Sequence, residues 1–348
     1  MLKKLSINIL TLFSLFISTA QETNILEVSK KKINSKKTTN SISIDGVLNE
    51  DDWTSVQSAT DFVMFEPDNG KSIDENFKTD VKILYDDEAI YIGAILRDNE
   101  PNKILKEITE RDDFGTSDVF GVFINGYNDG QQDFRFFVTA AGGQLDCVAT
   151  DQNGEDFSWN AIWTSKAKIT EDGWAVEMKI PYAALRFSNE KKQVWGLNFV
   201  RELRRFRQIY TWQHVNAKIG AVIQQAGILE GIEDIKTPTR LFLIPYASGY
   251  YNTNENGDEL TGKVGLDIKY GINDAFTLDA ILVPDFGQTK FDNVVLNLGP
   301  FEQQFNENRP FFTEGLDLFN KGNLLYSRRI GSVPNLNIEL EDNEEITE

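Results

Sequence analysis

Residues 119–139 read VFGVFINGYNDGQQDFRFFVT, and this stretch decides the fold class. Two short apolar runs flank the turn Asn128-Asp129-Gly130, whose residue types tolerate the left-handed backbone of a tight turn. Apolar runs of this length separated by a turn signal are typical of paired strands. The stretch therefore predicts an antiparallel β-hairpin.

The same pattern extends in both directions, over residues 41–226. Further hairpins are expected around Asp86-Asp87 and around Glu171-Asp172-Gly173. Helical periodicity sustained over a dozen residues does not occur. Strands with one apolar face must bury that face against a second sheet, so we predict an all-β fold built as an antiparallel, jelly-roll-like β-sandwich.

A different pattern begins near Thr239. Long strands are expected at residues 241–251, 263–270 and 275–283, with apolar and polar residues alternating. Strands of about 9 to 11 residues fit an outer-membrane-type β-barrel, and an ordinary half-exposed sheet is the alternative. A barrel needs at least about eight strands. Residues 237–348 are therefore expected to be the beginning of a barrel-like domain, an incomplete and truncated β-barrel segment.

The amino terminus has the features of an export signal. Lys3 and Lys4 precede an apolar run at residues 7–17, which is too short to span a bilayer as a helix, and the small residues 18–20 follow. We expect residues 1–20 to be a signal peptide, so the protein would be exported to the periplasm or the cell outer membrane. Residues 21–40 are polar and lysine-rich and predict a linker, with the sandwich domain at 41–236.

The composition excludes several classes of function. The formal net charge of -19 argues against binding nucleic acid, and the single cysteine, Cys147, allows no intramolecular disulfide. The single histidine, His214, has no Gly-x-Ser-x-Gly motif beside it. A catalytic pair of carboxylates, as a glycoside hydrolase needs, is not excluded. The residues that come closest to such a cluster in the sequence are Asp112, Asp113 and Asp118.

Aromatic residues give the positive signal, because a sugar ring stacks its apolar face on an indole while its hydroxyls bond to polar side chains. Trp159 and Trp163 lie in a polar stretch and are the candidate stacking residues, with core packing as the alternative for each. Asp113 and Arg204 are the candidate hydrogen-bonding residues. Arg204 belongs to an arginine-rich strand whose members could instead pair with carboxylates across the sheet.

A calcium site is possible at residues 151–156. Asp151, Asn153 and Asp156 place oxygens on a tight loop, which suits a hard cation. The loop lacks the glutamate that completes an EF-hand, because position 162 is Ile162.

Several segments together resemble the carbohydrate-binding module family 9-like domain. These are Ile-Asp-Gly-Val-Leu-Asn-Glu at residues 44–50 with Trp53, Tyr-Ile-Gly at 91–93, Ser-Asp-Val at 117–119, residues 159–163, and residues 173–181. The resemblance implies a β-sandwich that stacks sugars on tryptophans, often beside structural calcium, in proteins commonly attached to glycoside hydrolases.

The remainder resembles the start of a domain family of unknown function found in Bacteroidetes envelope proteins. The resemblance rests on residues 284–288, 309–312 and 326–331, which read PDFGQ, RPFF and YSRRIG. Longer members of that family look like outer-membrane barrels, which implies that the carboxyl-terminal part contacts the outer membrane.

We therefore predict that an exported envelope β-sandwich binds a saccharide or polysaccharide in carbohydrate uptake or catabolism, without catalysis of its own. A glycoside hydrolase acting on O-glycosyl compounds is the first alternative. A structural module of an outer-membrane transport or secretion assembly is the second.

Overall fold

The computed structural model describes residues 29–157, 159–254, 257–272 and 276–283, together with residues 296, 299, 303–305, 307 and 326–329. The expected signal peptide lies outside the described residues. The described chain is built from strands, one short helix and single 3-10 turns. None of the helices within these ranges has the length and apolar character needed to cross a membrane.

The described strands, in chain order, are β1 (Lys32–Asn34), β2 (Lys36–Lys37), β3 (Ser58–Ala59), β4 (Val63–Glu66), β5 (Thr79–Tyr85), β6 (Ala89–Arg97), β7 (Val119–Asn125), β8 (Gln132–Thr139), β9 (Gln144–Thr150), β10 (Gly154–Asp156), β11 (Thr164–Thr170), β12 (Gly173–Pro181), β13 (Trp195–Leu203), β14 (Gln208–Thr211), β15 (Gly227–Glu230), β16 (Arg240–Asn254), β17 (Gly257–Gly271) and β18 (Thr277–Ile281). The helix is α1 (Asp51–Thr54), and the 3-10 turns are Glu75–Phe77, Pro101–Lys103, Tyr182–Ala184, Arg204–Phe206, Ile223–Gln225 and Ser327–Arg329.

Two sheets pack face to face. The larger has nine strands in the order β1-β15-β13-β7-β8-β9-β10, with β14 pairing to β13 and β4 pairing to β14. The smaller has six strands in the order β11-β12-β6-β5-β2, with β3 also on β5. Most pairs are antiparallel, as in β7 with β8 and in β12 with β6. The predicted all-β sandwich is confirmed.

The hairpin at residues 119–139 sets the two faces of the larger sheet. Asn128 and Gly130 have φ angles of 51° and 68°, as the turn residues predicted. Phe120, Val122 and Ile124 point into the main core, whereas Val119 and Phe123 belong to a separate apolar cluster on the opposite face. One strand therefore supplies both the core and a second apolar surface.

The predicted linker is wrong for its described part, residues 29–40. Strand β1 pairs in parallel with β15, in the register Ile33 to Leu229, and β2 pairs in parallel with β5. Ile33 is fully buried in the core. The neighbouring Lys32 and Asn34 are exposed, so the polar composition of this segment hid one apolar anchor.

The carboxyl-terminal segment forms a separate antiparallel sheet of three strands, β16-β17-β18. The register places Leu243 opposite Ile268 and Ala247 opposite Val264, so that one face carries apolar residues along its length. Leu243 is 57% exposed and Val264 is 71% exposed. Within the described residues this sheet is open, as an incomplete barrel segment would be.

Candidate functional site

A groove of about 500 Å³ lies on the outer face of the nine-stranded sheet. This volume is in the range of pockets that hold small molecules. Its lining residues come from β14, β13, β7, β8 and β9 and from the segments that border those strands. They are Phe65, Phe114, Val119, Phe123, Arg135, Phe137, Ala149, Thr150, Asp151, Gly154, Glu155, Asn198, Val200, Glu202, Arg204, Ile209, Thr211, Val215, Gly220 and Val222.

The groove has an aromatic floor. The rings of Phe123 and Phe137 lie 5.5 Å apart in an edge-to-face arrangement, and Phe114 lies 5.2 Å from Phe137 in a similar one. Gly121 on β7 is paired with Phe137 of β8 on one side and with Val200 of β13 on the other. A Cβ added at Gly121 would be 2.6 Å from Phe137 and 2.7 Å from Val200. The glycine therefore allows Phe137 and Val200 to approach each other across β7.

An ion-pair network crosses one side of this floor. The Arg135 guanidinium lies 4.2 Å from the centre of the Phe123 ring, donates from Nε to Asp133 at 2.8 Å, and donates from Nη1 to Glu155 Oε1 at 2.7 Å. Arg135 and Asp133 are almost fully buried, but the Glu155 side chain is 34% exposed. Glu155 thus reaches solvent at the groove, where a ligand can contact it.

A second ion pair stands on another side. Arg204 Nη1 donates to Glu202 Oε1 at 2.7 Å, and Arg204 Nη2 donates to the Gly115 carbonyl at 3.4 Å. Glu155 and Glu202 each use only Oε1 in a hydrogen bond among the described residues, which leaves Oε2 to accept one from a ligand. The groove therefore combines an apolar floor with acceptors and a cation at its sides.

The structure separates the predicted hydrogen-bonding residues. Arg204 lines the groove and pairs with Glu202, so its role as a ligand contact stays a prediction. Asp113 is exposed in a turn outside the groove, where its Oδ1 accepts from the Gly115 N–H and its carbonyl accepts from the Thr109 hydroxyl. A contact between Asp113 and a ligand in the groove is not supported.

Trp163 belongs to the core, so its predicted role as a stacking platform is wrong. Its side chain is 6% exposed, and its ring lies 5.4 Å from Phe136 in a perpendicular arrangement. Its Nε1 donates a 2.6 Å hydrogen bond to Asp146, a fully buried carboxylate that also pairs with Arg111. An indole enclosed in this way has no free face for a sugar.

Trp159 is half-buried and lies away from the groove. Its ring is 5.1 Å from Phe134 and 6.1 Å from Phe136, two residues on the core side of β8. It lines a smaller cavity of about 100 Å³ with Arg186 and with Phe242 of β16. Sugar stacking on Trp159 stays a prediction. Trp159 cannot bind the same sugar as Phe123, because Trp159 packs on the core face of the larger sheet and Phe123 lies on its outer face.

The predicted calcium loop forms the β9–β10 turn. Asp151 Oδ1 accepts from the backbone N–H groups of Val222 at 2.9 Å and Ile223 at 3.2 Å, so this carboxylate caps a 3-10 turn. No group of three or more His, Cys, Asp or Glu side chains suited to a metal ion occurs in the part of the chain that the structure describes. Asp151 thus has a structural partner, and calcium binding with Asn153 and Asp156 stays a prediction.

The carboxylates considered for catalysis do not meet in the groove. Asp118 is fully buried, and its Oδ1 accepts from the Arg204 N–H at 3.0 Å. Burial raises the pKa of Asp118 to about 6, although the Arg204 N–H and the nearby Arg201 favour its charged form. Neither Asp112 nor Asp118 is among the residues that line the groove.

The raised pKa of Asp118 predicts a pH dependence of stability. The pKa of Asp118 in the folded protein lies above its unfolded value of 3.8, so protonation of Asp118 stabilises the folded state. This stabilisation is fully present below pH 3.8 and is lost as the pH rises through about 6. The free energy of unfolding should increase by about 1 kcal/mol more in the wild type than in Asp118→Asn between about pH 7 and pH 5. Urea denaturation of both proteins at the two pH values measures this difference. Equal increases would contradict the shift.

Sequence reasoning missed the groove residues Phe123, Arg135, Phe137 and Glu155. Phe123, Arg135 and Phe137 belong to the predicted hairpin, whose two faces were not distinguished, and Glu155 belongs to the predicted calcium loop at residues 151–156. The available signal was the apolar character of both faces of β7, since a strand with only one buried face would carry polar residues on the other.

Residues 44–202 match the family model described as Carbohydrate family 9 binding domain-like. This range holds most of the groove floor, from Phe65 to Glu202. The match covers less than half of the chain and shows a likeness between this part of the sandwich and the family. Residues 237–348 match the model described as Domain of unknown function (DUF5916). Both resemblances found in the sequence are therefore confirmed.

Solved structures give weaker likenesses to the sandwich. A carbohydrate binding module family 9 from Caldicellulosiruptor kristjanssonii in complex with cellotriose is 16% identical and has a TM-score of 0.44, over 59% of this chain and 95% of the module. The same organism's module in complex with glucose is 18% identical with a TM-score of 0.43, over 60% and 100%. A Bacteroides uniformis protein is 12% identical with a TM-score of 0.48, over 58% and 100%. No curated protein matches this chain.

Proposed function

We propose that the sandwich domain binds carbohydrate in the groove of its nine-stranded sheet. The observation that carries the proposal is the floor of Phe123 and Phe137 with the Glu155 and Glu202 carboxylates at its sides, on a domain that matches a carbohydrate-binding family. An apolar floor accepts the C–H face of a sugar ring, and the carboxylates accept hydrogen bonds from its hydroxyls.

The proposal predicts that Phe123→Ala lowers saccharide affinity by between about fivefold and about 150-fold, because aromatic stacking is worth about 1–3 kcal/mol where it has been measured on nucleobases. Calorimetric titration of the purified protein, first with a panel of neutral polysaccharides and then with the best ligand found, measures the change. Trp159→Ala is the matched control, since Trp159 lies on the other side of β8. The affinity of this variant for the saccharide should stay within about twofold of the wild-type affinity.

The control also separates the two candidate stacking sites. A loss of affinity in Trp159→Ala with none in Phe123→Ala would move the site to the cavity near Arg186. Circular dichroism on both variants checks that each is folded. Binding to no member of the panel would contradict the proposal and favour the structural alternative, and hydrolysis of a member would favour the glycoside hydrolase.

We further propose that the chain is exported and presents this domain in the cell envelope, in carbohydrate uptake or catabolism. The basic and apolar character of residues 1–20 supports export. The exposed apolar face of β16 and β17, with Leu243 and Val264, supports contact with the outer membrane.

Cell fractionation tests the location. We expect the protein in the outer-membrane fraction, and a Val264→Asp variant should be recovered there in smaller amount, because a charge on a lipid-facing strand costs free energy. Recovery of the wild type in the cytoplasm would contradict the proposal.

A further inference from the structure

The cavity of about 100 Å³ beside Trp159 lies between the sandwich and the three-stranded sheet. One wall comes from the sandwich, at the segment around Trp159 and beside the 3-10 turn Tyr182–Ala184, and the other comes from the start of β16 and the end of β17. Pockets for drug-sized molecules begin at about 300 Å³, so this cavity suits a single small group. It shares no lining residue with the groove proposed for saccharide.

Three basic side chains line the cavity, and no aspartate or glutamate is among its described lining residues. Arg186 follows the 3-10 turn of the sandwich, Arg240 begins β16, and Lys269 lies near the end of β17. The whole chain has a formal net charge of -19, so this convergence of cations is not part of a generally basic surface. The local charge favours an anion in the cavity.

Arg240 is the most deeply buried of the three, with 5% of its surface exposed. Gly271 lies opposite Arg240 in the β16–β17 register, and a Cβ added at Gly271 would collide with Arg240 Nε. The glycine therefore lets the guanidinium approach the backbone of β17. A buried guanidinium is stabilised by charge-assisted hydrogen bonds, and its N–H donors lie in one plane that matches two oxygens of an oxyanion.

The carboxylates near the cavity belong to the sheet. Asp279 lies opposite Lys269 in the β17–β18 register, and Asp267 precedes Lys269 by two positions on the same face, so both offset the charge of Lys269. Arg186 approaches from the sandwich, where its guanidinium lies 6.0 Å from the centre of the Phe134 ring and donates to the Leu185 carbonyl at 3.2 Å. Cations from two separate parts of the fold thus border one space.

We infer that this cavity binds a phosphate group, held by Arg186, Arg240 and Lys269. A phosphate group has enough oxygens to accept hydrogen bonds from donors on several sides at once, whereas a carboxylate has only two. Because Arg186 belongs to the sandwich and the other two residues belong to the sheet, the bound group joins these two parts of the chain. The site is independent of the saccharide groove and takes a different class of ligand.

The phosphate group has two possible sources, the free ion and a lipid headgroup. Leu241 and Leu278 follow lining residues directly along β16 and β18, so they lie on the opposite face of the sheet, and each is 51% exposed. This is the apolar face proposed above to contact the outer membrane. A sheet in that position would bring the cavity close to lipid headgroups.

Calorimetric titration of the purified protein with inorganic phosphate, at constant ionic strength in chloride, tests the site. We expect saturable binding, with affinity lowered at least about tenfold in both Arg240→Gln and Arg186→Gln, because each loses charge-assisted hydrogen bonds. Arg97→Gln is the matched control, since Arg97 is exposed and pairs with Asp172 away from the cavity, and its phosphate affinity should stay within about twofold of the wild type. Arg186→Gln keeps the test valid if Arg240→Gln does not fold.

Flotation with vesicles of phosphatidylcholine, with and without an equal amount of phosphatidylglycerol, distinguishes the two sources. Binding to the phosphatidylglycerol vesicles that falls at least about fivefold in Arg186→Gln, and that inorganic phosphate inhibits, would assign the site to a headgroup. Saturable phosphate binding with vesicle binding unchanged in that variant would assign it to the free ion. Absence of both effects, or equal phosphate affinity in the wild type and both cavity variants, would overturn the inference. Saccharide affinity should be the same in all these proteins, so that outcome would leave the proposed function intact.

Discussion

Trp163→Ala is expected to lower the free energy of unfolding by about 3–5 kcal/mol, because it removes a buried indole and leaves a cavity. The loss has a second source, since Asp146 loses the 2.6 Å hydrogen bond from Trp163 Nε1 while remaining fully buried. Urea denaturation measures the change. If the indole were a sugar platform, the same substitution would leave stability nearly unchanged and abolish binding.

If the alanine variant does not fold, Trp163→Phe can be used to test whether Trp163 belongs to the core or binds sugar. The phenyl ring retains most of the contact with Phe136, so the variant should be less destabilised and should bind saccharide with unchanged affinity. Reduced saccharide affinity in a stable Trp163→Phe protein would contradict the assignment of this residue to the core.

Arg201→Met is expected to destabilise the sandwich by about 3–5 kcal/mol, as is typical when one member of a buried charged network is removed. Arg201 is fully buried on β13, and its guanidinium donates to the Phe77 carbonyl at 2.5 Å, to Thr79 Oγ1 at 2.9 Å and to the Arg97 carbonyl at 2.7 Å. It therefore connects the larger sheet to β5 and β6 of the smaller one.

Arg97→Met is the matched control for that loss. The Arg97 side chain is 46% exposed and pairs with Asp172 at 3.0 Å, an exposed ion pair whose contribution is at most about 1 kcal/mol. The free energies of unfolding of the two variants, measured by chemical denaturation, should differ by at least about 2 kcal/mol. Equal, small effects would show that Arg201 does not connect the sheets.

The fold could be predicted from sequence where alternation and turn chemistry were strong. The hairpin at residues 119–139 and the strands on either side of it were found, because Asn128 and Gly130 occupy the left-handed conformations that their residue types indicate. Strands β1 and β2 were missed because they have only three and two residues and are largely polar, and because their pairing depends on Leu229 and Leu84, which lie far away along the chain.

The site was harder to predict than the fold. Polar neighbours in the sequence suggested that Trp163 was exposed, but its actual surroundings come from Asp146 and Phe136 of adjacent strands. Arg204 lines the groove but also pairs with Glu202, so its role as a ligand contact stays a prediction. The aromatic floor depends on which face of β7 and β8 packs on the smaller sheet, and this choice is made by tertiary packing.

A crystal structure of the protein soaked with the neutral oligosaccharide that binds best in solution tests the central claim most directly. We predict sugar rings against Phe123 and Phe137, with hydroxyls near Glu155 and Glu202. Sugar located against Trp159 instead, with the groove empty, would contradict the account.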